Sequence, residues 1–202
     1  MKRYGVVAGA VSGVAALAGA GALFLGGALQ SNAAQQNVAV TQKAESISFV
    51  VRHFEKMSNG KYISHAKLPK TWKESKIAPH ETRFDDTANG RMIRFNTWIG
   101  PSSTRSQLDR KIRSLKGTPG LKIVAKATVK GRSTVGNYPM TVSTVVYTYK
   151  SGQTTRWVAT RYAEIKGGNV EFTVAGVPSQ SKVLSNVLET ATRTIYLTPT
   201  AK

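Results

Sequence analysis

MTVSTVVYTYK (Met140–Lys150), TTRWVATRYAEIK (Thr154–Lys166) and VEFTVA (Val170–Ala175), separated by Ser151-Gly152 and Gly167-Gly168 and closed before Pro178, decide the architecture. Each run is rich in Val, Thr, Tyr and Phe, and each gap is a short glycine turn, which is the pattern of an antiparallel meander. The middle run places Trp157, Ala159, Arg161 and Ala163 on one face and Val158, Thr160, Tyr162 and Glu164 on the other. Neither face is purely apolar, and at least one is expected to be covered.

Working outward toward the C-terminus, Pro178–Tyr196 reads as a helix. Val183, Leu184, Val187, Leu188, Ala191 and Ile195 share one face, opposite Lys182, Asn186, Glu189 and Arg193. Toward the N-terminus, Lys122–Lys130 sets Ile123, Ala125, Ala127 and Val129 against Lys122, Lys126 and Lys130, a strand with a lysine ladder that suits a sheet edge. Before it, Gly100-Pro101 breaks the chain and Ser102 or Ser103 can cap a helix running to Lys116. Leu108, Ile112 and Leu115 form its buried stripe, Arg110 and Arg113 point away, and Arg105, Lys111 and Lys116 lie on the flanks.

His80–Phe84 and Arg91–Ile99 flank Asn89-Gly90 as a hairpin, with Ile93, Phe95 and Ile99 on one side and Arg94, Asn96 and Trp98 on the other. Leu68-Pro69-Lys70-Thr71-Trp72 is a turn that tucks an aromatic against the sheet. Ala44–Lys56 carries Ile47, Val50, Val51 and Phe54 at helical spacing and is expected to be a helix ended by Ser58-Asn59-Gly60. The expected class is α+β, a mainly antiparallel sheet packed by helices and preceded by one N-terminal transmembrane or signal helix.

Gly5–Leu29 holds no charge and only Ser12 as a polar side chain over 25 residues. At about 1.5 Å per residue it is long enough to cross a bilayer. A cleaved signal peptide is the other reading, with Ser31-Asn32-Ala33 as the small-x-small site. Both readings hold Lys2 and Arg3 inside and put the remainder outside the cytoplasmic membrane, on the cell membrane if retained and secreted if cleaved. Gly5, Gly9 and Gly13 repeat a small-xxx-small spacing through which two such helices can associate, a spacing that also arises by chance in a Gly/Ala-rich segment. The expected organisation is a segment 1–30, a linker and short helix 31–61, and an extracytoplasmic domain 62–198.

The charge is far from ordinary, with 29 Lys+Arg against 10 Asp+Glu and a formal net charge of +19. Taking away Lys2 and Arg3 leaves +17 on the part that follows the apolar segment, well beyond what solubility asks for. Such an excess favours a polyanionic neighbour. The residues expected to meet it are Arg105, Arg110, Lys111, Arg113 and Lys116 of the helix and Lys122, Lys126 and Lys130 of the strand.

No catalytic set emerges. With no cysteine, thiolate chemistry, disulfides and a lipoprotein anchor are excluded. His53, His65 and His80 fall on three different predicted elements, so no metal site and no cofactor are expected. Asp85-Asp86, the sole acidic pair, reads as a hairpin approach that hydrogen-bonds its own turn. The chain is expected to be a non-enzymatic accessory or binding module contacting an anionic envelope component or a partner protein. The alternatives are a cell-surface nucleic-acid binder in DNA uptake or conjugation, with Trp98 and Trp157 as stacking platforms if exposed, and a small-ligand carrier with a pocket between sheet and helix. Trp157 is expected to be at least half buried, which weighs against the first.

From Leu68-Pro69-Lys70-Thr71-Trp72 onward the chain resembles the PsbP/Mog1-like α/β/α sandwich domains of secreted actinobacterial proteins and of the extracellular ends of some actinobacterial serine/threonine kinases. The resemblance covers residues 62–196. It rests on Pro69-x-x-Trp72, Arg83-Phe84-Asp85-Asp86, Thr155-Arg156-Trp157 through Arg161-Tyr162, and Gly168-Asn169-Val170-Glu171-Phe172-Thr173-Val174 with Pro178. Two departures stand out: no kinase domain is present, and Thr144-Val145-Val146-Tyr147 occupies the place where the kinase-associated domains tend to carry a Trp and an acid. The resemblance implies a fold and an extracellular setting and supplies no catalytic residues.

Overall fold

A computed structural model of the chain describes residues 46–200. The expected membrane or signal segment Gly5–Leu29, with Gly5, Gly9 and Gly13, lies outside the described residues, and among those described no helix is long and apolar enough to cross a membrane.

The meander forms as three long strands, β7 (Pro139–Ser151), β8 (Thr154–Ile165) and β9 (Gly168–Gly176), at the centre of the molecule. Lys166 and Gly167, at φ 48° and 72°, make the β8–β9 turn, and Gly167 takes this left-handed backbone without steric cost. Around this core the order is β1 (Phe49–Lys56), β2 (Tyr62–Pro69), β3 (Lys73–Ala78), β4 (Glu81–Asp86), β5 (Arg91–Asn96), α1 (Thr104–Ser114), β6 (Lys122–Arg132), the meander, α2 (Ser181–Arg193) and β10 (Tyr196–Pro199). Every pairing is antiparallel, in a seven-stranded sheet β3-β4-β5-β9-β8-β7-β6 and a three-stranded sheet β1-β2-β10. Among the described residues the class is therefore α+β, with antiparallel sheets and two α-helices.

Both faces of the large sheet are covered. On one side lie α2 and the small sheet, which bury Phe84, Ile93, Phe95, Trp157, Ala159, Phe172 and Val174 together with Leu68, Leu184, Leu188 and Ile195. Each large side chain buried there contributes about 1.5–3 kcal/mol. On the other side α1 lies over Val145, Tyr147, Val158, Tyr162 and Ala175 through Leu108, with Ile112 and Leu115 only partly buried. The turn before β3 does tuck its aromatic, since Trp72 is buried beneath the Arg91 guanidinium.

Three elements differ from the sequence reading. Residues 49–56 form β1, paired with β2 from Phe49↔Pro69 to Lys56↔Ile63, where a helix was expected over Ala44–Lys56. A short apolar run fits both periods, and consecutive Phe49, Val50 and Val51 favour the extended one. The chain from Phe49 onward is thus hydrogen-bonded into the fold. The last helix is shorter than Pro178–Tyr196: a single 3-10 turn at Pro178–Gln180 precedes α2, and Tyr196 begins β10, a strand the sequence did not announce. Finally, His80 stands in a turn at φ 65°, and its strand begins at Glu81.

Candidate functional site

The expected basic surface depends on α1. Ser103 caps it by accepting a hydrogen bond from the Ser106 N–H at 3.3 Å. Leu108 faces the sheet, flanked by buried Thr104 and Gln107, whose amide donates to the Gly100 carbonyl at 3.0 Å. With those positions inward, Arg105, Arg110, Arg113 and Lys116 are exposed. Arg105 reaches Asp109 one turn on at 3.8 Å, and Arg110 bonds Ser102 and Gln107.

Lys111 departs from the flank position. It is partly buried, and its pKa lies below that of an ordinary lysine because burial disfavours the ammonium, with Glu171 opposing and Arg94 acting the same way as burial. The group it joins was not recognised as a unit in the sequence. Arg94 bridges Glu171 at 2.5 Å and Glu81 at 3.2 Å, Thr173 donates to Glu171 at 3.0 Å, and Thr160 meets Thr173 at 2.9 Å. Tyr162 is buried here and its pKa is raised, first by burial and then by Glu171; Tyr147 is pushed up to about 12, mainly by burial. Two cations, Arg94 and Lys111, stand against two carboxylates, Glu81 and Glu171. The network is charge-balanced and so leaves no net attraction for an anion. Alternation of Arg94, Glu171, Thr173, Thr160 and Tyr162 on one sheet face was visible; the adjacency of β5 and β9, distant in the chain, was not.

β6 is an edge strand, as its lysines implied. Residues paired across a ladder project to the same side. Lys126 pairs with Val145 and Lys130 with Thr141, on the α1 side, whereas Lys122 pairs with Thr148. The register shifts between Ile123 and Ala125, and the extra residue Val124 turns the ladder over. Ile123 accordingly packs with α1 while Ala125 and Val129 pack with the α2 side. The three lysines therefore do not form one row: Lys122 projects on the opposite face from Lys126 and Lys130. Arg132, which pairs with Pro139, continues the α1-side row.

Strand and helix are tied together at this point. Thr128 on β6 meets the Ser143 hydroxyl at 2.9 Å, and Ser143 donates to Thr104 in the first turn of α1 at 3.0 Å. Lys126 and Lys130 lie two residues to either side of Thr128. The structure thus brings Lys126 and Lys130 to the side of the sheet that carries Arg105, Arg110, Arg113 and Lys116, and leaves Lys111 and Lys122 out.

The remaining candidates are also placed. Asp86 accepts from Asn89 and Arg91, and Asp85 from Arg83, so the acidic pair serves its own hairpin. Trp157 is buried at 7% exposure, and Trp98, 54% exposed, stacks on His80. The space between α2 and the sheet is filled by Leu184, Leu188 and Ile195. Two shallow clefts of about 300 Å3 are found on the rim, one lined by Lys130, Thr141, Glu164 and Lys166, the other by Arg83, Asp85, Arg91 and Arg156. His53 and His65, expected on separate elements, meet on adjacent strands.

No family model matches the chain, and no curated protein sequence does. Among solved structures, the mycobacterial LpqN, described as involved in cell envelope biogenesis in Mycobacterium tuberculosis, aligns at 13% identity over 82% of this chain and 100% of its own, with a TM-score of 0.47. A Pseudomonas aeruginosa protein of unknown function aligns at 11% identity over 79% and 89%, with a TM-score of 0.41. The cyanobacterial PsbP of Synechocystis aligns at 11% identity over 77% of this chain and 96% of its own, with a TM-score of 0.52. At that identity the likeness is one of architecture, and the chain is similar in fold to PsbP.

Proposed function

We propose that the chain is a non-enzymatic extracytoplasmic module, held at or released from the cell membrane through its apolar N-terminal segment, that binds an anionic polymer of the envelope through the face formed by α1 and β6. The observation that carries this reading is the placement of Lys126 and Lys130 on the same side as the exposed arginines of α1, linked through Thr128, Ser143 and Thr104. The excess of basic residues supplies the field that would draw a polyanion to it. The PsbP-like fold is compatible with a role outside the cytoplasm. A nucleic-acid reading is less well supported, because Trp157 is buried and Trp98 already stacks on His80. A small-ligand carrier is opposed by the closed core beneath α2.

The test has two arms. Fractionation and protease accessibility should place the folded domain outside the cytoplasmic membrane. The purified chain should bind a teichoic-acid-like polyphosphate with an affinity that falls steeply as salt rises, and should ignore a neutral polysaccharide. A cytoplasmic, soluble full chain, or equal retention by the neutral polymer, would refute the reading.

A further inference from the structure

His53 and His65 are the feature that neither the fold nor the basic face uses. They are direct cross-strand partners on β1 and β2. Their Nδ1 atoms face each other at 2.6 Å, with the rings edge to face at 4.7 Å between centroids. Two imidazole nitrogens at that separation share one proton, one donating and the other accepting. The arrangement is held from behind. His65 is 6% exposed, stacks on Tyr196 of β10 at 4.5 Å, and places its Nε2 2.7 Å from the Thr198 hydroxyl. When Nε2–H donates to Thr198, the lone pair of His65 sits on Nδ1 and points at His53, which is exposed.

The geometry points to a two-imidazole site for a divalent transition-metal ion, bound by Nδ1 of His53 and Nδ1 of His65, with water completing its coordination. Metal to imidazole nitrogen bonds are about 2.0–2.1 Å. Two such bonds at roughly 90–110° span about 3.0–3.4 Å between nitrogens, so the rings need part by less than about 1 Å. The ion takes the place of the shared proton, and His53 takes up a proton from solvent at its other ring nitrogen, so that both imidazoles bind as neutral ligands. Thr198 acts as the outer partner that metal-bound imidazoles commonly have, setting tautomer and ring orientation. Among the described residues no third His, Cys, Asp or Glu joins the pair, so the protein supplies two ligands. Cu(II) is the ion such a nitrogen pair holds most tightly.

The test is titration of the full chain with Cu(II) at neutral pH, followed by calorimetry and by paramagnetic resonance for nitrogen hyperfine coupling. The expected result is one ion per chain with two nitrogen ligands. His53→Ala, at an exposed position and checked for folding by circular dichroism, should weaken binding by at least about tenfold. His80→Ala, which removes the third and last histidine of the chain, should leave binding unchanged. Absence of saturable binding in the wild type, undiminished binding in His53→Ala, or equal loss in His80→Ala would each overturn the site.

Discussion

Replacing Lys126 and Lys130 together by glutamine removes two charges from the α1 side of the large sheet, whereas Lys122→Gln removes one from the side that faces α2. The proposed contact makes these perturbations unequal. For a flexible polyphosphate, each lysine–phosphate contact contributes a slope of about −0.7 to the dependence of log K on log salt. Carried from 1 M to about 0.15 M salt, that is roughly 0.6 log unit per contact. The double variant should therefore bind about 15-fold more weakly at that salt, with a slope flatter by about 1.4. Lys122→Gln should cost less than about twofold, because screening over roughly 8 Å limits what a charge on the far face can add. Thermal stability should change by no more than about 0.5 kcal/mol in either variant, since all three lysines are exposed. The assay is equilibrium binding of a labelled polyphosphate at three or four salt concentrations. If Lys122→Gln weakens binding as much as the double variant does, attraction is to the overall charge and the face assignment fails. If the double variant binds like the wild type, this face is not the contact surface.

Arg161, 7% exposed in its side chain, bonds Glu189 of α2 at 2.7 Å and Thr144 at 3.2 Å; Glu189→Ala strands that buried cation and should cost about 3 kcal/mol in urea unfolding, whereas Arg161→Met should cost clearly less. A Cβ on Gly176 would lie 2.8 Å from Leu184 Cδ1 and 2.5 Å from Gln180 Oε1, so Gly176→Ala should displace the fully buried Leu184 side chain and break the Gln180 bonds to Val177 and Asn89, lowering the unfolding midpoint by an amount equivalent to about 1–3 kcal/mol. Desolvation raises the Asp86 pKa, but hydrogen bonds from Arg91 and Asn89 outweigh it and hold the carboxyl below its ordinary 3.8. Its stabilising contribution is then present above that pH and lost as pH falls through the folded value; Asp86→Asn should destabilise by about 1–3 kcal/mol at pH 7, with the difference vanishing in acid.

Where the sequence could be read, the reason was local chemistry. Gly167 sits between two strongly β-forming runs, so the β8–β9 hairpin follows from neighbours a few residues apart. Trp157 could be expected to be buried because its strand is central. Lys111 and Lys122 failed for a different reason. Helical periodicity puts Lys111 on a flank, but whether a flank faces water depends on what the sheet offers there, and Glu171 of β9 lies sixty residues from Lys111 in the chain. Strand alternation puts Lys122 in step with Lys126 and Lys130, but a single extra residue at Val124 reverses every side chain beyond it. A bulge leaves no mark when both flanking residues are as permissive as Ile123 and Ala125. The same reversal has a consequence for the proposed surface: by sending Ala125 and Val129 inward against the α2-side core, it frees Lys126 and Lys130 for the α1 side. Deleting Val124 would leave Lys122, Ile123, Ala125 and Lys126 opposite the consecutive Thr148, Tyr147, Val146 and Val145, so every side chain would keep its face and the link from Thr128 through Ser143 to Thr104 would stand; pairing Val124 regularly would instead carry Lys122 to the side of Lys126 and Lys130. The bulge is thus what removes Lys122 from the row that Lys126 and Lys130 share with the basic helix.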